Sequence, residues 1–176
     1  MGERTIKIAK WQRALVVIGA LVFGAGISVS VWLFHDLLSP DDLSAYTAAP
    51  SSKIYDRRGR LLFEMPPPYT GSHTPVSLDE IPEAMRQVTV ALEDATFYRN
   101  PGVDVVAVAR SIWYNLNSDD TLMGGSTITQ QLARNLLLPG ERYELTLRRK
   151  LRELFLATRI TQRYSKDEIL TFYLNE

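Results

Sequence analysis

The chain has 176 residues, enough for one domain and an appendage. Its 20 basic and 20 acidic residues cancel, so no global field marks a nucleic-acid binder, and an anionic ligand would have to meet local clusters of charge. Cysteine is absent, and the two histidines, His35 and His73, lie far apart; this argues against a disulfide framework, a zinc site and a Ser-His-Asp triad.

From Ala14 to Phe34 no side chain is charged, and a helix of that length spans a hydrocarbon core of roughly 30 Å. Arg4, Lys7, Lys10 and Arg13 precede it and Asp36, Asp41 and Asp42 follow it, so the expected N-terminus is cytoplasmic and the rest of the chain lies outside the membrane. A cleaved signal peptide would have an apolar region of about 7 to 15 residues beside a small-residue site. The run here is longer, and the small residues near Ala45–Ala49 come too late. The expected organisation is a tail over 1–13, an anchor over 14–34, an irregular linker over 35–52 and a single domain over 53–176.

In that domain, two short apolar runs flank Gly59 between Lys53 and Glu64 and predict a β-hairpin, stopped by Pro66-Pro67-Pro68. The pattern then turns helical. The first helix begins at Pro82, with Met85, Val88, Leu92 and Ala95 on its apolar stripe. A second covers 103–116, with Val106, Ala109, Trp113 and Leu116 on one side. A third runs from after Gly124-Gly125 to Pro139-Gly140. A fourth covers about 144–160 and carries Leu147, Leu151 and Leu154, and a fifth starts near Ser165. The expected domain is mostly α.

Three clusters could carry chemistry. Glu93 and Asp94 are adjacent acids near the end of the first of these helices. Glu93 stands four residues before Phe97, and partial burial beside an aromatic ring would suit a general acid or base. A solvated acidic pair is the plainer explanation of the same residues. Gly124-Gly125-Ser126-Thr127 precedes a helix whose free N–H groups could meet a phosphate, and Thr127, Gln131 and Arg134 form a polar stripe opposite Ile128, Leu132 and Leu136. An ordinary N-cap explains Ser126 and Thr127 but not the aligned stripe. No Lys-Ser or Lys-Thr follows the glycines, so this is not a nucleotide P-loop. In the third cluster, Arg149 and Lys150 lie four and three residues before Glu153. This is either a surface salt bridge or two cations and a carboxylate at the edge of a cleft.

The order of the clusters resembles glycosyltransferase family 51, the glycan-polymerising domain of class A penicillin-binding proteins and monofunctional peptidoglycan glycosyltransferases. Glu93, Asp94, Phe97 and Gly102 match its first motif. Gly124 to Thr127 with Gln130 and Gln131 match the second, and Arg149, Lys150, Glu153 and Ala157 the third. Lys166, Asp167, Ile169, Leu170, Tyr173, Leu174 and Asn175 match the fourth. Asn100 stands at the family's histidine position, Arg134 where lysine is usual, and Thr161 and Thr171 where acids are common. The family's further C-terminal helices would lie past Glu176, so the resemblance implies an incomplete domain.

The resemblance implies a lysozyme-like, mostly α fold and the polymerisation of lipid II into glycan strands at the outer face of the cytoplasmic membrane. Glu93 would be the general base and Glu153 a second catalytic carboxylate. Asp94, Phe97, Gly125, Ser126, Thr127, Gln131, Arg134, Arg149 and Lys150 would meet the substrate. A divalent cation, Mg2+ or Mn2+, is expected at the pyrophosphate, with Glu153 its protein contact. The expected partners are lipid II, the growing glycan, the bilayer and cell-wall synthesis machinery, with no nucleic acid. A lysozyme-like muramidase and a catalytically silent membrane-anchored fragment are the competing classes. Neither Ser-x-x-Lys nor Lys-Thr-Gly occurs, so nothing in these residues would be acylated by penicillin.

Overall fold

The computed structural model describes residues 10–47, 51–65, 74–117 and 124–176. The chain divides into two compact units, with the break between Leu37 and Leu38. The first is a single helix, α1 (Lys10–Phe34). Of its 24 residues from Trp11 to Phe34, all are exposed except Leu33, near the C-terminal end. Such a helix, apolar on every side, has no polar face to turn to water, and at about 1.5 Å per residue it is long enough to cross a membrane.

The second unit opens with residues expected to form an irregular linker. They are more ordered than that: Leu43–Tyr46 make a short 3-10 turn, and Leu43 is fully buried. The Leu43 N–H donates to the Tyr164 hydroxyl at 3.0 Å, and that hydroxyl donates to the Asp41 carbonyl. The expected hairpin follows as β1 (Ser52–Tyr55) and β2 (Leu61–Met65), antiparallel, with Ser52 opposite Met65 and Ile54 opposite Phe63. Gly59 takes φ +77° in the connecting turn, and Asp56 Oδ1 accepts the N–H groups of Arg58 and Arg60. The expected stop at Pro66-Pro67-Pro68 lies outside the described residues.

Five helices complete the unit: α2 (Glu83–Glu93), α3 (Val105–Asn117), α4 (Ile128–Leu137), α5 (Leu147–Arg163) and α6 (Lys166–Asn175). Their starts are set by caps. Asp104 accepts the Ala107 N–H, Thr127 the Gln130 N–H and Thr146 the Arg149 N–H, while Ser165 and Glu168 form a capping box. These caps explain why α3 and α5 begin two and three residues later than periodicity suggests. A turn at Pro139–Glu141 separates α4 from α5.

The core is built around α4. Ile128, Leu132, Ala133, Leu136 and Leu137 are buried together with Leu156, Ala157 and Ile160 of α5 and Ile169 and Leu170 of α6. Each such leucine or isoleucine contributes ~1.5–3 kcal/mol through area removed from water. The expected stripes on α2, α3 and α5 do not form the core. Met85, Val88, Leu92, Val106, Trp113 and Leu147 are all more than half exposed. On α5 the inward face instead holds Arg152 and Glu153, which can be buried because each is paired with an opposite charge.

Candidate active site

The C-terminal end of α2 and the N-terminal end of α4 meet at the two acids. Asp94 is the C-cap of α2, with extended backbone (φ −158°), so the helix stops at Glu93 and the adjacent carboxylates part. Asp94 turns inward and is 7% exposed. Both its oxygens accept from Asn100 Nδ2 at 3.0 Å; Oδ1 also accepts from the Thr96 hydroxyl, and Oδ2 from the Ile128 N–H at 3.3 Å. That last bond places a carboxylate on the first turn of α4, where the helix dipole favours negative charge.

Asn100 is saturated as well. Its Oδ1 accepts from the Gly102 N–H and from Lys166 Nζ. The Lys166 ammonium stands 4.7 Å over the Phe97 ring centroid. Burial pushes the Lys166 ammonium below its ordinary pKa, and the Asp94 charge opposes that shift.

Glu93 turns outward, and here an expectation is corrected. It was to share a helical face with Phe97 and be partly buried against the ring, but α2 ends before Phe97 is reached. Glu93 is exposed, while Phe97 is fully buried, edge-on to Tyr98. Phe97 is a core residue, with no surface open to the cleft in this structure. Glu93 Oε2 accepts from Gln131 Nε2 at 2.7 Å, and Gln131 Oε1 accepts from the Tyr173 hydroxyl at 3.1 Å. The Tyr173 phenol is pushed above its ordinary pKa by burial and then by the Glu93 charge, with Arg134 acting the other way. It therefore remains a donor at neutral pH.

Glu93 lines a cleft of about 140 Å³ with Asp94, Thr96, Asp104, Arg110, Gly124, Gly125, Ser126 and Thr127. A larger groove, about 490 Å³, follows the other side of α2 between Glu83 and Tyr98 and holds neither catalytic candidate. The smaller cleft joins an accessible carboxylate to the glycine-started helix and is the candidate site.

Gly125 is required there by close approach, since a Cβ would come within 2.7 Å of Ser111 Oγ and 3.0 Å of the Ala107 carbonyl. Thr127 is 2% exposed and its hydroxyl is spent twice, accepting from Gln130 N–H and donating to the Gly102 carbonyl. Both bonds are internal to the fold, so the hydroxyl expected to meet a substrate is already engaged.

Ser126 leads to the second carboxylate. Lys150 Nζ donates to Ser126 Oγ and Gln130 Oε1, both at 2.9 Å, and to Glu153 Oε2 at 3.2 Å, which uses all three of its protons. Arg149 Nε lies 3.4 Å from Glu153 Oε1, and its Nη1 donates to the Arg142 carbonyl. Glu153 is 1% exposed, deeper than the cleft edge expected for it. Gln130 Nε2 and Glu153 Oε1 are buried without a hydrogen-bond partner among the described residues, leaving donor and acceptor capacity beside the cations.

For a divalent cation the donor set is thin. The described residues contain no group of three His, Asp or Glu side chains that could hold one, and Glu153 already faces two cations. Among the described residues, then, no side-chain cage for such an ion is built.

Asn100, Gln130, Lys166 and Tyr173, which the motif comparison names without giving them a role, all join the hydrogen-bond networks around Asp94, Glu93 and Glu153. No local pattern gives these pairings, because they join residues from 6 to 66 positions apart in the chain.

A model of the transglycosylase family matches residues 58–176. Among curated proteins, the chain is 38% identical to penicillin-binding protein 1A of Escherichia coli (strain K12) over 173 residues, 97% of this chain and 20% of that protein. It is 35% identical to penicillin-binding protein 1F of Bacillus subtilis (strain 168) over 162 residues, 92% of this chain and 21% of that protein. Penicillin-binding protein 1B of Vibrio cholerae serotype O1 is 47% identical over 98 residues, 56% of this chain and 12% of that protein. The chain thus spans about one fifth or less of the length of these relatives.

Proposed function

Because the chain belongs to the transglycosylase family, we propose that it carries the glycan-polymerising site of a peptidoglycan glycosyltransferase acting on lipid II. The observation that carries this reading is the pairing of an accessible carboxylate, Glu93, with a cation-lined helix start, in one connected network through α4.

In this reading the growing or donor strand is a disaccharide on a lipid pyrophosphate, and the acceptor offers a sugar 4-hydroxyl. Glu93 takes the hydroxyl proton as the oxygen attacks the anomeric carbon from the face opposite the leaving group, so the configuration inverts. The pyrophosphate leaves toward Ser126, Arg134, Arg149 and Lys150, whose charges meet the negative charge that develops. Glu153 holds Arg149 and Lys150 in place before the ligand arrives. A Mg2+ or Mn2+ ion enters only as one that the pyrophosphate itself would carry, with Glu153 the nearest carboxylate, and no step depends on it. Helix α1 serves as the anchor, with the N-terminus cytoplasmic and the remaining residues outside, so that enzyme and lipid substrate share one surface.

The test is turnover by the membrane-inserted chain of a labelled lipid-linked disaccharide, compared with cleavage of finished glycan. Chain growth without cleavage is expected. Cleavage without growth would assign the site to a muramidase.

A further inference from the structure

Glu93, the proposed base, sits at the exposed end of α2, where burial does not hold it in place. Among the described residues, what holds it is a hydrogen bond from the Gln131 amide, and that amide has a second attachment, the Tyr173 hydroxyl on α6. An amide has two ends of opposite polarity. Turned about, Gln131 would present Oε1 to the Glu93 carboxylate, acceptor against acceptor, and lose the bond. While Glu93 is charged, its own field favours the donor orientation. Once Glu93 has taken a proton it could donate to a turned amide, and the carboxylate's own preference disappears. The Tyr173 proton, aimed at Oε1, still favours the original orientation.

Resting on the reading of Glu93 as base, we infer that Tyr173 is a positioning residue for the reaction. Through the Gln131 amide it keeps a hydrogen-bond donor aimed at Glu93 in both protonation states, so the base returns to its charged, acceptor-ready form after each transfer.

Three features of the arrangement support this assignment. A phenol is protonated at neutral pH, and burial raises the pKa of this one further. Gln131 stands one turn beyond the α4 start that Asp94 anchors through Ile128 N–H, so its backbone is fixed and only the side chain needs orienting. Among the described residues, the charged groups that act on the phenol are Glu93 and Arg134, which oppose each other.

The experiment combines a direct measurement with a kinetic one, on the full chain in lipid nanodiscs. Side-chain 15N–1H signals of Gln131 are assigned by their loss in Gln131→Ala, and proton exchange of that amide is followed at one pH. Tyr173→Phe, which keeps the ring and removes only the hydroxyl, is expected to speed this exchange by about five- to tenfold, the weight of one hydrogen bond. An unchanged exchange rate overturns the inference.

In the kinetic arm, Tyr173→Phe is expected to lower kcat by about tenfold with KM little changed, and to have no further effect in a Gln131→Ala background. A tyrosine needed only for packing would instead give the same loss in both backgrounds, which also overturns the inference. Glu93→Gln is run beside these. If it retains normal turnover the underlying reading fails; if it abolishes turnover while Tyr173→Phe leaves both exchange and kcat unchanged, only the role of Tyr173 fails.

Discussion

The Thr127 hydroxyl donates to the Gly102 carbonyl at 2.6 Å while its own oxygen caps α4, so a single side chain ties the loop after Glu93 to the helix that bears Gln131. Gly102 can be nothing larger. It adopts φ +94°, and a Cβ there would come within 2.5 Å of the Ala157 carbonyl. Gly102→Ala is therefore expected to lose ~2–4 kcal/mol of stability, through backbone strain and a clash with main chain, and Thr127→Val ~1–2 kcal/mol through the lost cap. Thermal or urea unfolding of the variants checks both.

The two adjacent acids separate by experiment as they do in space. Glu93→Gln preserves the size of an exposed side chain, so the protein should melt normally while glycan synthesis falls by roughly two to four orders of magnitude. Asp94→Asn replaces a buried carboxylate that accepts from Asn100, Thr96 and Ile128 N–H, and should cost ~1–3 kcal/mol of stability with a smaller loss of turnover. Normal synthesis by folded Glu93→Gln would remove Glu93 from the mechanism.

Glu153→Gln is expected to weaken both folding and donor binding, because it leaves Arg149 and Lys150 without their shared counter-charge. Lys150→Met should weaken binding of a pyrophosphate-bearing inhibitor by more than tenfold. A chelator should leave the melting temperature of the ligand-free chain unchanged, since no group of three acidic or histidine side chains that could hold an ion is found among the described residues. Calorimetry and inhibitor titration measure these effects.

Stability should fall on acidification in a window set by the helix caps. Hydrogen bonds to backbone N–H and hydroxyl groups hold Asp104 and Glu168 below their ordinary pKa values. The unfolded chain therefore takes up protons first as pH drops. The contribution of these caps is fully present above the ordinary carboxyl range of about 4, and is lost as pH falls through the lower, folded values. Asp104→Asn and Glu168→Gln should each flatten the dependence of melting temperature on pH between about 5 and 2.

Protease added to intact spheroplasts should cleave the chain after Pro40 and spare the tail before α1. The asymmetry of Arg4, Lys7, Lys10 and Arg13 against Asp36, Asp41 and Asp42 carries this expectation. Full protection of epitopes in residues 124–176 would reverse the topology.

Much of the second unit was legible as pattern. The Gly turn of the hairpin, the glycine-started α4 with Ile128, Leu132 and Leu136 inward, and the Ser165 capping of α6 all follow from local rules. What failed was the choice of face. On α5, Leu147 and Leu151 read as an apolar stripe, yet Arg152 and Glu153 are buried, because Glu141, Arg149 and Lys150 supply charge partners that periodicity does not register. The opposite orientations of Glu93 and Asp94 were not legible either. Their separation depends on the extended φ of Asp94 and on Asn100, six residues on, and an i,i+4 argument for Phe97 presupposed a helix that stops too soon.

Helix α4 has ten residues, fewer than the ~12–15 an isolated helix needs to persist in water. Its formation therefore depends on what it packs against: the end of α2 through Asp94, α5 through Lys150, and α6 through Tyr173. These contacts join residues 20 to 42 positions apart in the chain, so they close only after the intervening loops have paid their entropy. The Glu93 contact to Gln131 and the Lys150 contacts to Ser126 and Gln130 therefore form together, and a chain without a folded α4 would hold neither.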